Sequence, residues 1–241
     1  MALQPVPSQT QIFTGLRTVL LGILPTGVEV VQGQANQVPE PKSPDFVVMT
    51  VIRRQRISTN VDLYQDCKFT GSVAGTVLSV QSVNFGKLVA GRSLFGTGAA
   101  TNPQILTVSV DGSSATLSQP LTLTSRPLAA GAKVLQQSTD IVVQLDIHSA
   151  TLSIASDNAQ TITTLFRDDS GVQLFKATNV PISPLHADDP RQMPFINGAG
   201  QYESRYVVEA HLQVDQAITL PHEFMDRVDA DRIPADIFFA A

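Results

Sequence analysis

The stretch that decides the fold is DIVVQLDIHS, residues 140–149. Ile141, Val143, Leu145 and Ile147 alternate with Gln144, Asp146 and His148, a period of two that a half-buried strand requires. The period predicts that the apolar set points inward and the polar set outward. Arg205 to Leu220 repeats the pattern, with Tyr206, Val208, Ala210, Leu212 and Val214 on one face. Upstream, Phe46 to Ile57 reads as another strand, apolar at first and ending in Arg53, Arg54 and Arg56, so its far end leaves the core. Val28 to Gln32 reads as a short strand, and the three prolines of 37–44 as an extended loop.

Two helices accompany these strands. Ile12, Leu16, Val19, Leu20 and Ile23 follow the 3.6-residue period behind Ser8 or Thr10 as cap, with Pro25 and Gly27 as the stop. A second helix is expected from Asp157, with Gln160 as capping-box partner, Ile162, Leu165 and Phe166 buried, and Gly171 closing it. Residues 181–200 read as a proline-spotted loop. Phe224 to Phe239 forms a tail that mixes acids with Ile and Phe, and Pro234 limits any helix there.

Residues 68–137 differ from all this. They hold 8 of the 15 glycines and a single acid, Asp111, against Lys68, Lys87, Arg92, Arg126 and Lys133. Ser, Thr, Val and Leu crowd the stretch and helical period is lost, which predicts short strands and tight turns. The expected fold class is therefore α+β: a mostly antiparallel sheet with two helices on one face, made by residues 1–67 and 138–241. An all-β module, Ig-like or barrel-like, interrupts it at 68–137. An inserted module needs its two connections close together, so the strand ending near Tyr64 should neighbour the one starting near Asp140.

Composition narrows the function. The chain of 241 residues is 43% hydrophobic and 15% charged, enough for a sizeable core. A net charge of −5 argues against broad binding to nucleic-acid backbone. The single cysteine, Cys67, excludes an internal disulfide and a cysteine-based zinc site. The apolar run Val19 to Leu24 is too short for a membrane span or a signal peptide, so a soluble, non-secreted protein without membrane contact is expected.

No motif for catalysis emerges, and no enzyme, cofactor or metal is expected. His148 and His211 face outward on two strands, with Asp146 and Glu209 as the nearest acids, and read as solvated strand surface. His186 lies in HADDP beside Asp188 and Asp189, an ordinary polar loop without a second histidine. His222-Glu223 lacks the histidine of a zinc-protease helix, and GRSLFGTGAA at 91–100 lacks the Lys-Ser/Thr ending of a phosphate loop. Asp226, Asp229, Asp231 and Asp236 lack the glycine of a calcium loop. These four acids and Arg53, Arg54 and Arg56 have opposite sign and are the candidate subunit contacts.

Three segments carry a likeness: QANQVPEPKSPDFVVMTVI at 34–52, NAQTITTLFRD at 158–168, and DDPRQMPFINGAGQYESRYVVEAHLQV at 188–214. In this order they resemble the neck or tail-terminator proteins of tailed bacteriophages, over residues 10–60 and 140–220. GKLVAGRSLFGTGAATNPQILTV, at 86–108, is similar to small β modules that decorate phage virion proteins. The resemblance implies a virion component assembled in the host cytoplasm, without catalysis. It would form a homo-oligomeric ring, commonly six-fold, that ends the tail tube. Its implied partners are tail-tube or sheath proteins and a head–tail connector, with DNA only as passing cargo. A tail completion or baseplate component, or a carbohydrate-binding surface module, is the alternative reading. Few aromatics in the module, and no Trp or Tyr in it, weigh against sugar stacking.

Overall fold

Ser8 starts the first helix by a reciprocal exchange. The Gln11 amide donates to Ser8 Oγ at 3.3 Å and the Ser8 amide donates to Gln11 Oε1 at 2.8 Å, which satisfies two of the helix's free donors. In the computed structural model, which describes residues 3–33, 41–99, 101–193, 195–196 and 202–222, this helix is α1 (Gln9–Ile23). After it come β1 (Glu29–Gln32), β2 (Phe46–Arg56), β3 (Val61–Gly86), β4 (Ser93–Phe95), β5 (Ile105–Val108) and β6 (Ser114–Ser149). Helices α2 (Leu152–Leu165) and α3 (Asp169–Ala177) follow, then β7 (Ile182–Ala187), β8 (Arg191–Gln192), β9 (Phe195–Ile196) and β10 (Tyr202–Pro221). Part of the expected 37–44 loop and the tail from 223 lie outside the described residues.

The chain divides into two compact units, Met1–Asp62 with Leu135–Ile218, and Leu63–Val134 with Thr219–Ala241. In the first, the hydrogen-bonded order is β1-β2-β6-β10-β7. β1 runs parallel to β2, and β2 runs antiparallel to β6 from Phe46 opposite His148 to Arg56 opposite Thr139. One core fills this unit: Ile12, Leu16 and Leu20 of α1 with Met49 of β2, Ile141, Val143, Leu145 and Ile147 of β6, and Val208 to Val214 of β10. The alternation read from 140–149 and 205–220 is thus the alternation observed.

The helices differ from expectation in number and place. α2 begins behind Thr151, not at Asp157, because its buried stripe starts with Ala155 and Ala159, both fully enclosed. Small residues contribute little to a hydrophobic pattern and so hid the first turn. Gly171 does not close the helix either. α2 ends at Leu165, and Asp168 caps a new helix, its Oδ1 accepting from the Ser170 amide at 2.8 Å. Gly171 sits in the first turn of α3, where a Cβ would collide with the Leu165 carbonyl. The residue permits a close approach and terminates nothing. Phe166 and Phe175 then meet edge to face at 5.4 Å across this joint.

The proline-spotted region beyond Pro181 is not all loop. β7 pairs antiparallel with β10, and Pro184 faces Leu212 where the register shifts by a bulge. Proline is tolerated there because β7 is an edge strand and needs no donor on its outer side.

The second unit has its own core of Cys67, Phe69, Leu78, Leu94, Ile105, Leu117 and Leu128, which shares no residue with the first. In it β4 and β5 pair antiparallel with β6. Its chain limits are 63 and 134, against 68 and 137 read from composition, and residues from 219 group with it. The last described residues explain that grouping: the His222 ring lies 5.0 Å from the Tyr64 ring. Where the chain leaves the first unit and returns, the Ile57 amide donates to the Ser138 carbonyl at 3.0 Å and Gln137 Nε2 donates to Asn60 Oδ1 at 2.9 Å.

Two outcomes follow from separate cores and adjoining connections. Replacing Leu63–Val134 by a short Gly-Ser linker leaves the first unit folded with a cooperative melt by circular dichroism, because loop-closure entropy changes by only about 0.6 kcal/mol per doubling of length. Leu16→Ala, at a fully buried position of α1, costs roughly 2–5 kcal/mol in urea unfolding of the intact chain.

Candidate functional site

With the helices on one face of the first unit's sheet, the opposite face carries the chemistry. β6 lies between β2 and β10, so its outward side chains are flanked on both sides. Asp146 and His148 are 8% and 7% exposed. That corrects the expectation of solvated strand surface. Polar groups so enclosed must be paired, and the face is a row of such pairs.

Arg205 donates to Asp146 Oδ1 through Nη2 at 2.6 Å and Nε at 3.2 Å, while Gln144 Nε2 donates to both carboxylate oxygens. His148 Nδ1 stands 3.2 Å from Glu203 Oε2, and the imidazole stacks on Phe46 at 4.5 Å. Ser138 Oγ donates to Asp215 Oδ1 at 2.5 Å. Arg191 pairs with Glu209. The partners descend along β10 as they ascend along β6, which marks the two strands as antiparallel.

Burial pushes the His148 imidazole below its ordinary 6.5, and the bond to Glu203 offsets that only in part. Near neutral pH the contact is therefore a hydrogen bond from a neutral ring, not an ion pair.

The histidines pair otherwise than the sequence suggested. His148 and His211 lie toward opposite ends of the β6–β10 pairing, and His211 Nδ1 meets Asp140 Oδ2 at 3.0 Å. His186, expected in a loop, is the register partner of His211, and their rings stack at 4.1 Å. Asp188 Oδ1 lies 3.6 Å from His186 Nε2, whereas Asp189 pairs with Arg167. The signal that could have joined the two histidines is the buried Ile182 and Ala187 bracketing β7.

The arginine candidates sit at the end of β2. β1 covers only Phe46 to Met49, so beyond that point no strand among the described residues pairs with the outer side of β2. Arg53 is half exposed and 3.8 Å from Asp140. Arg54 donates to Gln216 and Gln9, and Arg56 is exposed. Asp226, Asp229, Asp231 and Asp236 lie outside the described residues. An open cleft of about 510 Å³ lies where α3 meets β7 and β10, lined by Lys176, Asn179, Ile182 and Asp215 among others, with no histidine or cysteine in its wall.

A profile of the family described as phage neck terminator protein matches residues 97–237, more than half of the chain. The chain belongs to that family. No curated protein matches it. This neck terminator protein thus has a structural role in the phage neck and tail and is a component of the virion. The matched range contains β6, β7 and β10 entire, and with them every acid and histidine of the polar face described above. It also takes in much of the second unit, and it does not include the 10–60 segment that shares the sequence resemblance. Among the described residues no helix is long and apolar enough to cross a membrane.

His148 gives the face a pH response. The unfolded chain, with an imidazole near 6.5, takes up the proton before the folded one does. Stability present above about pH 6.5 is therefore lost as pH falls through the lower folded value. Urea unfolding at about pH 7.5 and about pH 5 should show a larger drop for the wild type than for His148→Gln, and a histidine NMR titration should place His148 below 6.5.

Proposed function

We propose that this protein assembles into a ring, six-fold by resemblance to its family, that ends the tail tube and joins tail to head with a channel open to DNA. The match across residues 97–237 carries this reading. It acts without catalysis: its work is self-association and docking to tail-tube or sheath proteins on one side and a connector on the other, in particles assembled in the host cytoplasm. The net charge of −5 suits a lumen that must release the phosphates passing through it.

Two features of the first unit support a subunit contact at the end of β2. Beyond Met49 no strand among the described residues pairs with the outer side of β2, and Arg53, Arg54 and Arg56 lie on that stretch. The acidic tail supplies a complementary charge in the same chain. Such exposed pairs are screened by salt, with a Debye length of about 10 Å at 0.1 M.

The purified chain should run as a multimer in native mass spectrometry and show rings by negative stain. Charge reversal at Arg53, Arg54 and Arg56 together should lower the multimer fraction, as should raised salt. A monomer at all concentrations, or a reversal mutant with unchanged ring mass, counts against this contact.

A further inference from the structure

We propose that His186, Asp188 and His211 form a site for one zinc ion, or a similar borderline divalent metal, that pins β7 to β10. The observation is a convergence of three donors from two strands: one ligand atom from each lies within 4.8 Å of the other two. The sequence reading dismissed His186 for want of a second histidine, and the β7–β10 register supplies it.

The donor set selects the metal. Two imidazole nitrogens and one carboxylate suit zinc, cobalt or nickel, whereas magnesium and calcium prefer oxygen alone. His211 is already arranged as a ligand. Its Nδ1 faces Asp140 Oδ2 at 3.0 Å, and a ring that donates there keeps its Nε2 lone pair for the metal. Its side chain is 11% exposed, so it is held in place. Asp140 has a second reason to favour a cation nearby: its Oδ1 is buried with no hydrogen-bond partner among the described residues, and Arg53 stands 3.8 Å from the other oxygen.

The remaining two ligands are the movable ones. His186 and Asp188 have side chains 47% and 50% exposed. Stacked rings direct their lone pairs in parallel, so the His186 ring must turn edge-on to meet a metal bound at His211. Donors of a tetrahedral zinc are about 3.4 Å apart, given bonds of about 2.0–2.1 Å. Atoms now within 4.8 Å of one another need to close by up to about 1.4 Å, which rotation of the exposed His186 and Asp188 side chains supplies. The fourth position is left for water or for a donor from another chain. This proposal does not depend on ring formation.

The test uses the untagged full-length protein, stripped with a chelator and titrated with Zn²⁺ by calorimetry and with Co²⁺ by visible absorption. One equivalent should bind, the melting temperature should rise with free zinc, and Mg²⁺ should not compete. Asp140→Asn should weaken binding by about 10–100-fold as an outer partner does, and His186→Ala and His211→Ala by more. His186 is exposed, so its variant should keep the wild-type circular dichroism spectrum and remains informative if His211→Ala fails to fold. Absence of saturable uptake, or uptake undiminished in folded His186→Ala, overturns the site.

Discussion

β6 is the strand on which the structure depends. Through residues 139–148 it is hydrogen-bonded to β2 on one side, and β10 is its neighbour on the other. A central strand has no freedom to slip, because a shift of one residue would exchange its two faces. Ile141, Val143, Leu145 and Ile147 would then meet water, and Asp140, Asp146 and His148 would meet the helices. The register thus places the helical core and the polar row in a single choice. It also deprives the polar row of water, which is why each buried acid and imidazole there meets a partner from β10.

The same strand continues into the second unit, whose core is independent of the first. Each unit therefore answers for its own stability. The Cys67 thiol, whose pKa is raised by burial, belongs to the second core, and the buried Arg92 of the same unit has its pKa lowered chiefly by burial.

Much of the architecture was legible in the residues. Ser8 and the 3.6-period run Ile12, Leu16, Val19, Leu20 and Ile23 announce α1, and the period-two runs at 140–149 and 205–220 announce the end of β6 and most of β10, because large apolar side chains at regular spacing leave one solution. What stayed hidden was carried by small or ambiguous residues. Ala155 and Ala159 bury the start of α2 without a strong hydrophobic signal. Gly171 reads as a stop but serves a close contact. Pro184 reads as loop but is tolerated at a sheet edge. The candidate site was hidden for a related reason. Alternation says that His148 and His211 point away from the core, but it cannot say that β2 and β10 flank them closely enough to exclude water. The pairing of His186 with His211 needed a strand, β7, that the prolines concealed.

The outer side of β2 beyond Met49, where no strand among the described residues pairs, has a consequence for symmetry. Two copies approaching edge to edge about a two-fold axis would set Arg53, Arg54 and Arg56 of one against the same residues of the other. Like charges on facing strands repel, and no acid lies between Val51 and Arg56 to relieve them. The edge therefore disfavours the self-matching dimer that unpaired strands otherwise invite, and it favours contact with a different surface of the next copy. A contact between unlike surfaces has a direction, and it either closes on itself or grows without limit. Three arginines on one strand end thus bias the chain away from the dead end of a closed pair.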